Sequence, residues 1–205
     1  YAPVNGNVSQ VADARESAKA ERIRKLRDSK PVEITGNEIE ASDDLRKYRK
    51  NANEYGLTHL RGEYINKDTG KKISVSKNSI KEVTSHDASP VQFQSVAAIP
   101  QILENSIYID SVENEDIEKH GDISFYDYYV CGLRINGVNY TVKAVVANGF
   151  NGERYYDHRL TKIEKGELIS LATAMQNHGS ETNSPLSGIK DKRLLSILQT
   201  NDEEN

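Results

Sequence analysis

The sequence has a single cysteine, Cys131, among 205 residues. One thiol cannot form a disulfide within the chain, and it excludes zinc sites built from several cysteines. Long hydrophobic runs are also missing, because no stretch approaches the roughly 18 apolar residues of a membrane span and no signal-peptide pattern opens the chain. We therefore expect a cytoplasmic protein that makes no contact with a membrane. Residue 1 is Tyr rather than Met, so we also expect the chain to derive from a longer polypeptide.

Apolar residues and net positive charge are scarce as well. Hydrophobic residues make up 36% of the chain, below the roughly 45–50% of a typical globular domain. The net charge of −4 argues against a constitutive nucleic-acid binder, which is usually strongly basic. The charge is uneven, since residues 11–30 hold seven Lys or Arg against four Asp or Glu. A core can still form if the polar ends lie outside it.

Several motifs of cofactor and metal chemistry are absent. The chain has neither the GxxxxGK[ST] loop of nucleotide triphosphate enzymes nor the GxGxxG turn of dinucleotide enzymes. Its five histidines show no HxH or HExxH spacing, and the one cysteine stands alone. We therefore expect neither a cofactor nor a metal site.

The first half of the chain predicts helices and one hairpin. Residues 8–28 resemble a polar helix, and shorter segments suggest a strand at 31–35 and a helix from Asp44 to Gly56. Residues 62–65 and 72–75 flank a turn that ends in glycine, which is typical of a hairpin. Ser79 and Glu82 have capping-box spacing and predict a short helix running to about His86. Ser89-Pro90 opens the next helix, which Pro100 interrupts.

The second half predicts a sheet. Strands are expected at residues 106–112, 125–135, 138–147 and 153–163. Asn136-Gly137 between alternating runs is a strong hairpin signal, because both turn residues need a positive φ. A two-residue turn places Ile135 opposite Val138 and Cys131 opposite Val142, and likewise pairs Leu133 with Tyr140 and Tyr129 with Ala144 on the core face. The other face presents Tyr126, Tyr128, Val130 and Arg134 with Asn139, Thr141, Lys143 and Val145.

These segments define an α+β fold. We expect N-terminal helices followed by a twisted antiparallel sheet of about four to five strands, with polar terminal extensions. The predicted organisation is a helical extension at residues 1–30, the α+β domain at 31–176, and a linker with a tail at 177–205. A last helix is expected at 167–176, a linker rich in Ser, Asn and Gly at 179–188, and a docking helix at 190–198.

General acid–base chemistry is what the remaining polar residues can support. Metal-independent RNA cleavage needs a base, an acid and donors for the phosphorane, and histidine suits both proton roles near neutral pH. His86 ends the predicted capped helix and His158 lies in the last strand. Both have alternatives, since His86 can be a solvated helix-end residue and His158 a hydrogen-bonded core residue.

Other candidates have structural alternatives too. Cys131 faces the predicted core and fits a buried small hydrophobe. Lys143 and Arg134 can be ordinary exposed cations. Thr161 and Arg159 suit phosphate contact, but period two puts them on the opposite face from His158 unless a bulge intervenes.

Three segments resemble a known family. Gly62-Glu63-Tyr64-Ile65-Asn66-Lys67-Asp68-Thr69-Gly70, the helix Ala97-Ala98-Ile99-Pro100-Gln101-Ile102-Leu103-Glu104-Asn105-Ser106, and the strand Tyr155-Tyr156-Asp157-His158-Arg159-Leu160-Thr161 are similar to a domain of large polyvalent proteins of phages and conjugative elements. The resemblance covers about residues 30–165. Such domains resemble in turn the barnase–EndoU–colicin–RelE group of metal-independent ribonucleases, in which helices precede an antiparallel sheet that bears the site.

The resemblance implies roles for particular residues. His86 matches the helix histidine, His158 and Thr161 match a polar pair on the last strand, and Lys143 matches a strand cation. No Glu–Arg–His trio of the barnase kind is present, and the acidic net charge is unusual for a toxin that cleaves RNA.

Two functions follow as hypotheses. The first is a toxin-like, metal-independent endoribonuclease domain of a mobile element, with His86, His158, Lys143 and Thr161 as catalytic residues. Phosphate would be held by Lys143, Arg134 or Arg159, and bases would stack on Tyr126, Tyr128 or Tyr155. The second is a non-catalytic module that binds a protein or nucleic acid. The partners are then RNA, or an immunity or host protein in the bacterial cytoplasm.

Overall fold

A computed structural model of the chain describes residues 6–81, 89–116, 118–166 and 168. The chain divides into two compact units, one that includes residues up to Ser29 and one that spans Lys30–Leu168. The predicted segments after residue 168 lie outside the described residues, and so does His86. Among the described residues, no helix combines the length and the apolar content that a membrane crossing requires.

Five helices and seven strands are present among the described residues. The helices are α1 (Gly6–Asp28), α2 (Leu45–His59), α3 (Lys77–Lys81), α4 (Pro90–Ser95) and α5 (Ile99–Asn105), with one 3₁₀ turn (Val96–Ala98) between the last two. The strands are β1 (Val32–Ile34), β2 (Gly62–Ile65), β3 (Lys72–Val75), β4 (Ile107–Glu113), β5 (Ile123–Ile135), β6 (Val138–Gly149) and β7 (Arg154–Lys165).

The strands form one mixed sheet in the order β1-β5-β6-β7-β3-β2, with β4 also paired to β5. The α+β class is confirmed. The predicted four to five antiparallel strands were too few, because β1 pairs with β5 in parallel and β3 pairs with β7 in parallel. Parallel pairing needs a crossover connection between the two strands. The hairpin of β2 and β3 joins the main sheet because β3 pairs with β7. Helices α3 to α5 lie in the connection between β3 and β7.

The Asn136-Gly137 hairpin is confirmed with its register. Asn136 has φ +47° and Gly137 φ +77°, the positive pair that a tight primed turn requires. Ile135 pairs with Val138 and Cys131 with Val142, as expected. The expected pairs of Leu133 with Tyr140 and of Tyr129 with Ala144 are also present. The core face is therefore fixed by the turn and by the alternation of the two strands.

The hydrophobic core lies between this face and helices α2 to α5. Tyr129, Cys131, Leu133 and Val142 from the sheet are buried together with apolar residues of the helices. The rings of Tyr48 on α2 and Phe93 on α4 lie 5.1 Å apart. The helices thus cover one face of the sheet and hold it in place.

Helix ends follow local sequence signals, with two exceptions. Asp44 caps α2, and Ser89 with Gln92 forms a capping box ahead of Pro90 on α4. However, α2 runs to His59 rather than ending at Gly56. Gly56 lies inside the helix and packs against Ile80, where a Cβ atom would come within 2.6 Å of the Ile80 side chain. The glycine therefore serves close packing and does not end the helix.

The capping box of α3 lies three residues earlier than the predicted one at Ser79. Strand β3 ends at Val75, and α3 begins at Lys77. Ser76 is therefore the cap: its Oγ accepts from the Ser79 amide at 3.2 Å, and the Ser79 Oγ accepts from the Ser76 amide at 3.2 Å. The chain turns into the helix directly after the strand, so Ser79 lies inside it.

The turn between β2 and β3 docks onto α5. Asn66 is fully buried, and its side-chain nitrogen donates to the carbonyls of Leu103 at 2.8 Å and Ser106 at 2.9 Å. Its side-chain oxygen accepts from the amide of Thr69 at 3.0 Å. Asp68 accepts from the Tyr108 amide at 2.9 Å. Two of the family-like segments therefore contact each other through a satisfied buried amide.

Candidate functional site

His158 is a buried residue on β7. Its exposed fraction is 6%, and its Nδ1 lies 2.7 Å from the Tyr156 hydroxyl. Burial lowers the pKa of His158 to about 4 and raises the pKa of Tyr156. The imidazole is therefore neutral at pH 7, and the Tyr156 hydroxyl can donate to it.

Thr161 closes a bulge in β7. The register between β6 and β7 shifts between Lys143 and Val145, so residues 158–161 oppose Ala144 alone. The Thr161 hydroxyl accepts from the Val145 amide at 3.2 Å and donates to the Asp157 carbonyl at 2.8 Å. The bulge that the predicted site needed is present, and the Thr161 hydroxyl takes the place of a missing ladder partner.

Two of the predicted phosphate-binding cations, Lys143 and Arg134, form ion pairs within the chain. Lys143 is 5% exposed, and its Nζ lies 2.9 Å from a Glu164 carboxylate oxygen. Arg134 lies 2.6 Å from the Glu33 carboxylate and donates to the Asn139 side chain at 2.9 Å. Both charges are therefore compensated within the fold.

The predicted site residues are spread along the sheet. On one face, Arg134 pairs with Asn139, Lys143 with Val130, and Tyr126 with Ala147. Each step is four residues along β5, or about 13 Å at roughly 3.3 Å per residue. Arg134 and Tyr126 therefore stand about 26 Å apart, which is too far for contact with one phosphate. His86 lies outside the described residues, and so does the side chain of Arg159.

Tyr126 and Tyr155 do come together. Both are opposite Ala147, one on β5 and the other on β7, so one strand with a small side chain separates them. At about 4.8 Å between strands, their backbones lie about 10 Å apart. Tyr128 is two residues away on β5 and pairs with Val145.

These two tyrosines line a pocket of 660 Å³ at the end of the sheet. Its charged lining residues are Asp122, Glu153 and Asp157, and no Lys or Arg is present among its described lining residues. The Tyr155 hydroxyl donates to the Glu153 carboxylate, and this hydrogen bond lowers the pKa of Glu153. The pocket is therefore aromatic and acidic.

A second pocket of 630 Å³ shares Phe150 and Ile123 with the first. Lys71, Ser111 and Phe125 also line it. Phe150 is 72% exposed. Two backbone hydrogen bonds close the turn that contains Phe150. The Gly149 amide donates to the Glu153 carbonyl at 2.8 Å, and the Gly152 amide donates to the Gly149 carbonyl at 3.1 Å. We call Phe150 with the two pockets the Phe150 surface.

A buried carboxylate contacts two residues that line the second pocket. Asp127 has no exposed surface, and its oxygens lie 3.1 Å from Lys71 Nζ and 2.5 Å from Ser111 Oγ. Ser111 also contacts the Tyr108 hydroxyl at 2.7 Å, and Lys71 Nζ lies 5.5 Å from the centre of the Tyr108 ring. Lys71 is therefore already paired with a negative charge.

Sequence patterns contained signals for residues that were not predicted. Asp127 is at a core-facing position of β5, where a charge requires a buried partner. Phe150 is an aromatic residue within the Asn148-Gly149-Phe150-Asn151-Gly152 turn, where no core position is expected. His120 and Asp122 line the first pocket from the loop before β5, and no pattern pointed to them. Within the described part of the chain, no three His, Cys, Asp or Glu residues cluster as a metal site would require.

The fold and the Phe150 surface define an α+β domain with an open, acidic and aromatic end. The chain belongs to the family "large polyvalent protein-associated domain 3", which matches residues 43–156, more than half of its length. No curated protein and no solved structure matches the chain. The resemblance to a domain of large polyvalent proteins is therefore confirmed, and the likeness to the barnase–EndoU–colicin–RelE ribonucleases stays a prediction.

Proposed function

We propose that the domain is a non-catalytic protein-interaction module of a mobile-element polyvalent protein, and that it binds a partner segment at the Phe150 surface. The observation that supports this is Phe150, which is 72% exposed in a closed turn between two pockets. Exposed aromatic residues beside pockets are frequent anchors of protein interfaces. A turn closed by its own backbone also loses little conformational entropy when a partner binds.

The charges near the sheet favour protein binding over RNA cleavage. A ribonuclease site needs cations that stabilise the phosphorane. Lys143, Arg134 and Lys71 each pair with a carboxylate of the same chain. Among the described lining residues of the larger pocket, Asp and Glu are present and Lys and Arg are not, so the lining would repel a phosphate backbone.

RNA cleavage is the second candidate. The specific observation in its favour is that Tyr126 and Tyr155, two of the residues predicted to stack bases, line the same pocket. In that mechanism His86 and His158 act as the proton-transfer pair. Cleavage in the presence of EDTA, with a 2′,3′-cyclic phosphate product that is lost in both His86→Ala and His158→Ala, would establish it.

A peptide selection tests the interaction function. A random nonapeptide library displayed on phage is selected on the immobilised full chain, and bound clones are then assayed on Phe150→Ala and Ile65→Ala. Ile65 is an exposed apolar residue of β2 that lines neither described pocket, so its variant is the matched control. We expect enriched peptides that bind the wild type and the Ile65 variant, and that lose at least about tenfold in affinity on the Phe150 variant.

Two results would contradict the interaction function. The first is a selection whose enriched peptides bind the Phe150→Ala variant as well as the wild type. The second is RNA cleavage by the wild-type chain in EDTA. Unfolding curves of both variants are measured alongside, because an exposed side chain should change the free energy of unfolding by no more than about 0.5 kcal/mol.

A further inference from the structure

We infer that the partner segment carries an arginine whose guanidinium enters the larger pocket between Tyr126 and Tyr155. This inference rests on the proposed interaction function and names the chemistry of the partner. It draws on the charge of the pocket, on the arrangement of its aromatic residues and on the adjacent Phe150.

The charge of the pocket selects a cationic ligand. Asp122, Glu153 and Asp157 line the pocket, and no described lining residue is Lys or Arg. The side chain of Asp157 accepts from the Leu160 amide at 3.0 Å, and that of Glu153 accepts from the Tyr155 hydroxyl at the edge of the pocket. Carboxylates form charge-assisted hydrogen bonds with a cation, and these are stronger than hydrogen bonds between neutral groups.

The two tyrosines are separated by a strand that presents only the small side chain of Ala147 to the pocket. Tyr126 and Tyr155 flank Ala147, which lines the pocket between them. Their backbones are about 10 Å apart across the three strands. A planar group about 3.5 Å thick can stack on a ring there, whereas a bulky residue in place of Ala147 would fill the space.

Arginine fits this gap better than lysine. Its guanidinium is planar, stacks on aromatic faces and donates two parallel hydrogen bonds to a carboxylate. An ammonium group is a strongly hydrated point charge, so it neither stacks as a planar group on an aromatic ring nor donates two parallel hydrogen bonds to one carboxylate. Phe150 lies at the shared edge of both pockets, so an apolar side chain next to the arginine would contact it.

The composition of the peptides selected on phage gives the first test. We expect Phe150-dependent peptides with net positive charge and an arginine beside an apolar residue. Phe150-dependent peptides that are neutral or acidic would overturn the arginine inference and leave the interaction function standing. Enriched peptides that do not depend on Phe150 would overturn both, so the two failures are distinguishable.

A direct measurement uses the most enriched peptide, labelled with a fluorophore, in anisotropy titrations. The Asp122→Asn, Glu153→Gln double variant should weaken binding about tenfold, because each partly exposed ion pair contributes only modestly. Glu40→Gln with Glu54→Gln removes the same charge from exposed positions that line neither described pocket, and it should bind like the wild type.

Substitution within the peptide separates arginine from simple charge. Replacing the arginine by lysine should weaken binding at least about tenfold at unchanged net charge, since the stack and the paired hydrogen bonds are lost. Equal affinity of the lysine peptide would overturn the arginine assignment. Equal effects of the two charge-removing double variants would overturn the placement of the guanidinium in this pocket.

Discussion

The burial of His158 makes the stability of the domain dependent on pH. Its exposed fraction is 6%, and burial lowers its pKa to about 4, whereas an unfolded-state histidine titrates near 6.5. Between these two values the unfolded chain binds a proton that the folded protein does not. Stability contributed by the neutral imidazole is therefore present above about pH 6.5 and is lost as the pH falls toward 4.

The size of the effect follows from the two pKa values. The difference is about 2.5 units, and each unit corresponds to about 1.4 kcal/mol. Between about pH 7.5 and 4.5, His158 should therefore remove about 2–3 kcal/mol from the free energy of unfolding. Other titrating groups change stability in the same range, so the contribution of His158 must be isolated by difference.

Urea unfolding of wild type and His158→Gln across this pH range supplies that difference. Glutamine does not titrate and keeps an acceptor for the Tyr156 hydroxyl. The wild type should lose more stability than the variant on acidification, and His59→Gln controls for loss of a histidine at an exposed position. Parallel curves for wild type and His158→Gln would refute the burial of His158 and restore it as an accessible proton-transfer group.

Three further outcomes follow from buried polar groups. Asn66→Ala should lower the free energy of unfolding by about 2–3 kcal/mol in urea, because two buried carbonyls lose their donor. Lys71→Met should cost about 3 kcal/mol by leaving Asp127 buried without its cation, and Lys71→Met with Asp127→Asn should cost less than the sum of the single changes. Cys131 should resist a thiol reagent until the protein unfolds, since burial raises the pKa of its thiol to about 12.

Local signals explain which parts of the fold could be predicted. The Asn136-Gly137 turn allows one tight geometry, so its two residues fix the eleven pairs of β5 and β6 from Ile135 with Val138 to Phe125 with Asn148. Asp44 and Ser89 act within their own helix turns. Each of these signals acts between residues that are neighbours in the chain or directly across one turn.

Long-range pairing explains what could not be predicted. Strand β1 pairs with β5, and its Glu33 is 101 residues from the Arg134 that it neutralises. Glu164, the partner of Lys143, lies beyond the β7 bulge, 21 residues away. Alternation shows which face a cation occupies but not which carboxylate meets it there. The predicted phosphate contacts depended on that missing information.

The segment from Gly62 to Gly70, one of the three that resemble the family, joins distant parts of the fold. Asn66 joins the β2–β3 turn to α5, and Lys71, directly after Gly70, reaches the buried Asp127. A charge on a core-facing position of β5 requires such a partner, and the turn supplies it. These contacts stabilise the fold and do not by themselves imply a reaction. Membership of the family therefore argues for the architecture, while the function must be argued from the exposed end of the sheet around Phe150.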